Sequence, residues 1–188
     1  MTKNKKKEKK KKKMLKKIFK YIGIALALAT GVAFLVAPLV CTVKITGTTS
    51  EKTVGLFEDL EGADLLIKDF NPFWIHALQV LIIAAFAVAV GLLVIALLND
   101  LNVFSLRGLE KILATIISVI GIVMLVTLII NQFANAHFET TEFLGQEVKT
   151  GAGLGANVMG WLTPIFAIIG GGLAYATVET KKKAKKKK

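Results

Sequence analysis

Residues 70–99 read FNPFWIHALQVLIIAAFAVAVGLLVIALLN, thirty consecutive residues without aspartate, glutamate, lysine or arginine. A helix needs about 20 apolar residues, at about 1.5 Å of rise each, to cross a hydrocarbon core of about 30 Å. Three further runs lack those four residue types over a sufficient length, namely residues 21–43, 112–138 and 150–178. The sequence therefore predicts an all-α transmembrane protein, a four-helix membrane bundle with spans at about 18–43, 73–98, 110–134 and 153–177.

The net charge of +12 comes from the two ends of the chain. Residues 1–20 sum to +11 and residues 181–188 to +7, whereas the residues between them sum to −6. A nucleic-acid-binding domain would spread lysine and arginine over a folded face, and Arg107 is the only arginine. We therefore expect no specific nucleic-acid partner. We interpret residues 1–17 and 179–188 as basic tails, the first of them disordered, that bind anionic lipid headgroups.

The charge distribution also predicts the orientation of the chain. Lysine and arginine beside a span are retained on the cytoplasmic side, and an even number of spans places both tails there. The predicted outer loops, at about 44–72 and 135–152, are acidic, whereas the 99–109 connection is close to neutral. We expect a multi-pass protein of the cell membrane with both termini in the cytoplasm and the two longer loops outside.

A cleaved leader is the alternative interpretation of the first span. The letters APLVC before Cys41 are similar to a bacterial lipoprotein cleavage site. Such a site needs a small residue directly before the cysteine, however, and Val40 is branched. The apolar run also exceeds the about 7–15 residues of a leader, and cleavage would place the C-terminal lysines outside. We therefore expect a retained span and a lone buried thiol at Cys41.

Both outer loops contain short strand patterns. Residues 42–46 alternate between polar and apolar side chains, and KTVGLF at 52–57 is typical of a returning strand. Residues 63–70 have the spacing of a short amphipathic helix. Residues 140–143 and 147–150 are strand-like in the second loop. The sequence predicts a small extracellular cap of short antiparallel strands plus this helix.

The first loop resembles that of the claudin-like tetraspans. Val54-Gly55-Leu56-Phe57 stands about where that family carries its Gly-Leu-Trp stretch. The resemblance implies a four-helix bundle topped by a small antiparallel sheet. The chain departs from the family pattern because Cys41 has no second cysteine and Phe57 replaces the tryptophan, so no junctional or pore function is carried over. The excess of lysine without loop disulfides is typical of a bacterial membrane protein.

Small residues at helical spacing predict close contacts between spans, because they let backbones approach in lipid. The predicted packing residues are Gly23, Ala27, Gly31, Ala84, Ala87, Gly91 and Gly171. GAGLGA at 151–156 formally fits a dinucleotide fingerprint, but no βαβ pattern follows it. We interpret it as a further set of packing residues, and we expect no cofactor.

Polar residues collect near the predicted outer ends of the spans, whereas no charged residue lies deep in any of them. This outer rim consists of His76, Gln79, Asn131, Asn135, His137 and Asn157. A metal site at His76, His137 and Glu139 lacks the usual ligand spacing, so hydrogen bonds between helices are the favoured interpretation. No catalytic, cofactor-binding or metal residues are predicted.

The sequence thus predicts a non-enzymatic membrane tetraspan that acts as a structural or interaction protein through its extracellular loops and helix-packing faces. The expected partners are the lipid bilayer and other membrane proteins, a second copy of the chain included. Two alternatives remain open. The chain is a channel or transporter component with the outer rim as a vestibule, or it is a membrane enzyme that uses an outer histidine site.

Overall fold

The structure, a computed structural model, describes residues 3–34, 36, 39–45, 48–55, 71–143 and 146–178. These residues form four α-helices, one 3-10 helix and one sheet. The helices are α1 (Lys3–Ala29), the 3-10 helix (Thr30–Phe34), α2 (Phe73–Asp100), α3 (Arg107–Ala134) and α4 (Val158–Thr177). The strands are β1 (Leu39–Ile45), β2 (Thr48–Val54), β3 (Ala136–Phe143) and β4 (Gln146–Ala156). The predicted helix at 63–70 lies outside the described residues.

Three helices of the described chain, α2, α3 and α4, are long and apolar enough to cross a membrane. This finding agrees with the prediction of a membrane protein. The bounds of α2 and α3 also lie within three residues of the predicted spans at 73–98 and 110–134.

The helices pack through stripes of buried residues that recur at alternating steps of three and four. In α2 these residues are Ile75, Leu78, Ile82, Ala85, Ala89, Leu92, Ala96 and Asn99. The same alternation runs along α3 from Glu110 through Gly121 to Asn131. A repeat of about 3.5 residues is typical of helices that pack side by side at small crossing angles. The stripes therefore account for a bundle, with large exposed apolar side chains on its outer surface.

Within the bundle, α4 lies between α1 and α3, and α3 also packs against α2. The contact between α1 and α4 is made by backbones. A Cβ added at Gly170 would lie 2.6 Å from the Gly23 carbonyl oxygen and 2.5 Å from the Ala27 nitrogen. On the other side of α4, a Cβ at Gly171 would lie 2.5 Å from the Ala114 carbonyl oxygen in α3. Adjacent glycines thus let α4 approach two helices at once.

The sheet lies at the end of the helical bundle opposite the lysine-rich start of α1. Its strand order is β2-β1-β4-β3, and every pairing is antiparallel. Its central pair joins the two loops, with Leu39 opposite Ala156 and Lys44 opposite Gly151. The predicted cap of antiparallel strands is therefore present, as four strands.

The GAGLGA segment belongs to this sheet, so its interpretation as a set of helix-packing residues was wrong. Gly153 pairs with Thr42 on one side and with Ala136 on the other. A Cβ at Gly153 would lie 3.1 Å from the Phe138 ring. Gly151 has a φ of +146°, which L side chains rarely adopt. Glycine is used here because the neighbouring strand comes too close for a side chain.

Two predicted spans therefore need corrected bounds. The first was predicted as a helix over 18–43, but α1 ends at Ala29, the 3-10 helix ends at Phe34 and Leu39 begins β1. Pro38 in the sequence favours this break, because proline lacks an N–H and restricts the residue before it. The fourth span begins at Val158 and not at 153, because the residues before it complete β4.

The predicted disorder of residues 1–17 also differs from the structure, in which α1 begins at Lys3. Lysine is a good helix former, and the run contains neither glycine nor proline. The lysines from Lys10 to Lys17 expose their side chains. The basic segment is therefore a helical extension of α1.

Candidate functional sites at the two ends of the bundle

Two asparagines near the end of α3 fasten the sheet to the bundle. Asn131 and Asn135 lie one helical turn apart and are both fully buried. Asn135 Nδ2 donates a hydrogen bond of 2.9 Å to Asn131 Oδ1. Asn131 Nδ2 donates in turn to the main-chain carbonyl of Leu154 in β4, at 3.1 Å. The Leu154 N–H completes this link by donating to the Asn135 carbonyl oxygen at 2.8 Å.

Asn135 also binds the backbone just before α2. Its Oδ1 accepts the Asn71 N–H at 2.8 Å, and its Nδ2 donates to the Asn71 carbonyl oxygen at 3.0 Å. One side chain thus pairs with a main chain in both directions, as a neighbouring strand would. Buried amides need such partners, because an unsatisfied one is costly. The pair joins α3, β4 and the start of α2, which we call the sheet end of the bundle.

The other predicted rim residues have local roles. Asn157 is the N-cap of α4, and its Oδ1 accepts the Gly160 N–H at 3.0 Å. His76 Nδ1 and Gln79 Oε1 lie 2.9 Å apart on the exposed side of α2. His137 is half-buried, with its Nε2 3.3 Å from the Ala134 carbonyl oxygen. Among the described residues, no group of three His, Cys, Asp or Glu side chains could hold a metal ion.

Some of the predicted packing residues lie at contacts between helices, and others do not. Gly23 and Ala27 lie at the α1–α4 contact, and a Cβ at Gly31 would strike the Phe86 ring. Gly171 lies against α3, as described above. In α2, however, Ala87 is exposed. A Cβ added at Gly91 would lie 3.9 Å from Leu113 Cδ1, an ordinary van der Waals contact.

The stripe predicted on α2 was therefore wrong in phase, and Ala84 is only half-buried. The alanines that face the core are Ala85, Ala89 and Ala96, each at 0% exposure. Residues 84–91 contain five alanine or glycine residues in eight positions, so the sequence offers more than one small-residue stripe. The packing of α2 against its neighbouring helices selects one of them.

The other end of the bundle holds a charged cluster that the sequence analysis missed. Lys20 of α1 and Glu110 of α3 are 6% and 2% exposed. Lys20 Nζ lies 2.8 Å from Asp100 Oδ1 at the end of α2 and 3.4 Å from Glu110 Oε1. The three side chains therefore join three helices, and we call this region the tail end.

Neighbouring groups complete the cluster. Asp100 also accepts the Tyr21 hydroxyl at 3.1 Å, and Lys17 Nζ lies 3.4 Å from the same carboxylate. Asn99 Nδ2 donates to Glu110 Oε2 at 2.7 Å, and its Oδ1 accepts the Leu106 N–H at 2.6 Å. Asn99 thereby fixes the short connection between α2 and α3.

Glu110 Oε1 differs from the other oxygens of the cluster. It is buried and has no hydrogen-bond partner in the described part of the chain. Lys20 Nζ, 3.4 Å away, compensates its charge. Removing one member of a buried ion pair typically costs about 3–5 kcal/mol, because the remaining charge is left uncompensated. The pair is therefore expected to hold the position of α1 against α3.

A cavity of about 150 Å³ opens at this cluster. Its walls come from α1, from both ends of the α2–α3 connection and from the end of α4 at Thr177 and Val178. One sequence signal could have indicated it. Asp100 and Glu110 are the only acidic residues between positions 70 and 138, and both lie beside the connection on the same side as the basic tails.

A comparison with protein-family models finds no match to the chain, and a comparison with curated proteins finds no significant match. The class of protein is therefore defined by its own fold. It is a helical bundle with three candidate membrane spans, a fastened antiparallel sheet at one end and a charged cavity at the other.

Proposed function

We propose that this protein is a non-enzymatic tetraspan of the cell membrane whose sheet binds other membrane or extracellular proteins, a second copy of the chain included. One observation carries the proposal. The sheet is fixed to the bundle by the buried asparagine pair, yet its outer strands β2 and β3 each pair on one side only within the described residues. An unpaired strand edge on a rigid support is a surface to which a partner's backbone can bind.

The length of α1 supports a fourth span. Its uncharged part begins at Tyr21, directly after Lys20, and continues through the 3-10 helix to Phe34. Nine helical residues and five 3-10 residues rise roughly 24 Å together, most of the hydrocarbon thickness of about 30 Å. Ile24, Ala27 and Ala33 in this stretch are at most 1% exposed. The stretch thus packs as a member of the bundle.

The positions of the charges support an orientation with both termini in the cytoplasm. Lys20, Asp100 and Val178 line one cavity, so the lysine-rich start of α1, the α2–α3 connection and the end of α4 share one end. Basic segments beside spans usually stay in the cytoplasm, which supports the proposal that the sheet is outside. At the level of architecture, a bundle with a sheet on its outer end is also what the resemblance to claudin-like tetraspans implies.

The packing of the bundle favours this function over a channel. Ala89, Leu92 and Ile117 lie in its core at 0% exposure. Asn131 and Asn135, which a vestibule would present to water, are themselves at 0% exposure and bind the backbone. A conducting path needs polar groups or water along the pore.

Site-specific photo-cross-linking in native membranes tests the proposal. A photoreactive phenylalanine analogue replaces Ser50 in β2 or Thr140 in β3, both exposed on edge strands, and Val90 on the outer surface of α2 serves as the matched control. We expect discrete protein adducts from at least one strand position and none from Val90, which faces lipid.

Two proline variants then separate the strand edge from the sheet itself. Successive N–H groups of a strand point to opposite sides, so one of Glu51→Pro and Lys52→Pro removes an outward N–H and the other an N–H that faces β1, while the probe stays at position 50. The variant that loses the outward N–H should abolish the adduct without changing the unfolding midpoint. No adduct from either strand, or adducts of equal yield from Val90, would contradict the proposal.

A further inference from the structure

The tail-end cavity has an excess of positive charge. Two carboxylates, Asp100 and Glu110, lie in its wall together with five cationic side chains. The cationic side chains are Lys13, Lys16, Lys17, Lys20 and Arg107. We propose that this cavity binds the phosphate group of an anionic lipid headgroup, which would make it a lipid site distinct from the diffuse attraction of the tails.

The two carboxylates already hold cations that belong to the chain. Asp100 accepts Lys20 and Tyr21, and Glu110 accepts Asn99 and faces Lys20. Because Lys20 is held at the base of the cavity with 8% of its side chain exposed, its position is fixed before any ligand arrives. The two carboxylates outnumber Lys20 at the base by one charge, and the four cations of the walls give the cavity as a whole its net +3.

The size and the side chains of the cavity fit a phosphate ester. A volume of about 150 Å³ is ample, since a single water molecule needs only about 10–15 Å³. Arginine presents a planar fork of donors to phosphate oxygens, and lysine binds them as a point charge. Lys17, with 52% of its side chain exposed, and Arg107 give the cavity one group of each kind.

The surroundings point to a lipid as the source of the phosphate. Apolar side chains of α1 and α3 begin directly beside the cavity and face outward: Ile18 is 47% exposed, Leu109 40% and Ile112 56%. A phosphate in the cavity would therefore have acyl chains running along an apolar helix surface. Basic pockets between spans on the cytoplasmic side are a recurrent means of binding anionic headgroups.

Thermal unfolding of the full chain in a neutral detergent tests the proposal, with the fluorescence of Trp74 and Trp161 as the signal. Dioleoyl phosphatidylglycerol is titrated at 150 mM NaCl, and dioleoyl phosphatidylcholine and inorganic phosphate are titrated in parallel. Binding to the folded state raises the unfolding midpoint. We expect a saturable increase with phosphatidylglycerol and none with the other two.

Two triple variants of equal net charge locate the binding. The cavity triple is Lys13→Gln, Lys16→Gln and Arg107→Gln. The control triple, which changes lysines of the same helix that do not line the cavity, is Lys7→Gln, Lys10→Gln and Lys11→Gln. At about 1 kcal/mol per cation, the cavity triple should weaken phosphatidylglycerol binding by about 100-fold. The control triple should weaken it by less than about threefold.

Equal weakening in the two triples would assign the binding to diffuse attraction and overturn the proposal. An equal midpoint shift with inorganic phosphate would overturn the lipid as its source. If the cavity triple does not fold, Lys13→Gln and Lys10→Gln replace the triples, with about fivefold weakening expected for the first alone. The proposal depends on a membrane-spanning bundle and not on contacts of the sheet, so the cross-linking experiment can fail without affecting it.

Discussion

The two ends of the bundle are held together by different chemistry. At the sheet end, two neutral asparagines bind the backbones of Asn71 and Leu154. At the tail end, Lys20 is held by two carboxylates beside an open cavity. Neutral amides satisfy one another without a net charge, whereas the ionic cluster leaves Glu110 Oε1 without a hydrogen bond. The hydrogen-bonding groups of the asparagine pair are therefore satisfied within the protein, whereas the charged cavity at the tail end can still bind a ligand.

The largest loss of stability is expected when the Lys20–Glu110 ion pair of the tail end is removed. Glu110→Leu leaves Lys20 buried and short of one counter-charge. Lys20→Met leaves Glu110 without its cation, and Asp100 keeps only Lys17. Each should lower the free energy of unfolding by about 3–5 kcal/mol, measured by titration with sodium dodecyl sulfate in detergent. The double variant should cost less than the sum of the two, because neither charge then lacks its partner. Additive losses would show that the two side chains do not interact.

Asn135→Leu breaks the sheet end in the same assay. It leaves the Asn71 N–H and carbonyl without their partner, at about 1–3 kcal/mol in total, because Asn71 is exposed and water can replace part of the loss. The matched control is Gln132→Leu, three residues earlier on the exposed side of α3. We expect the control to change stability by less than about 0.5 kcal/mol. Equal losses in the two variants would mean that the asparagine pair does not fasten the sheet.

Substitutions of two glycines in α4 test the helix contact that lies between the two ends of the bundle. Gly170→Ala inserts a methyl group against the α1 backbone and should cost about 1–3 kcal/mol through overpacking. Gly172→Ala, two residues further along the same helix, adds the same methyl group where no atom lies within 4 Å, and should leave stability unchanged or slightly raised. If both variants lose the same stability, the α1–α4 contact is looser than the structure indicates.

The smallest expected effect is that of Lys17→Gln. Lys17 pairs with Asp100 from the surface, with 52% of its side chain exposed, so its loss should cost less than about 1 kcal/mol. The difference from the unmodified chain should disappear in 1 M NaCl, where the screening length is about 3 Å. A difference that persists at high salt would place Lys17 in the buried part of the cluster.

The sequence predicted the spans that are marked by uninterrupted apolar runs, and α2 and α3 end close to where those runs end. It failed for residues 39–43 and 151–156, because valine, leucine and glycine are as compatible with a buried strand as with a span. The charged cluster was missed since Lys20 and Asp100 lie 80 positions apart. No spacing rule connects residues at that separation.

The candidate sites show the same limit. Asn131 and Asn135 were identified as polar residues near the end of a span, which composition alone reveals. Their partners, however, are main-chain atoms of Asn71 and Leu154, and main-chain atoms leave no signal in a sequence. Glu110 lies at the predicted start of the span at 110–134, where a charged residue usually faces the membrane surface. Only the approach of α1 reveals that it is buried.

The place of β4 in the sheet determines when the sheet can form during synthesis. The sheet has three strand pairings. Only the β1–β2 pairing can form before β4 is synthesised, because β1–β4 and β3–β4 both require residues 146–156. The hairpin of β1 and β2 must therefore wait, with one edge of β1 open, while α2 and α3 are made and inserted. Such long-range pairing is slow, and an open edge invites aggregation. Among the described strands β4 is the last to be synthesised, and its arrival thus decides when the open edge of β1 is closed.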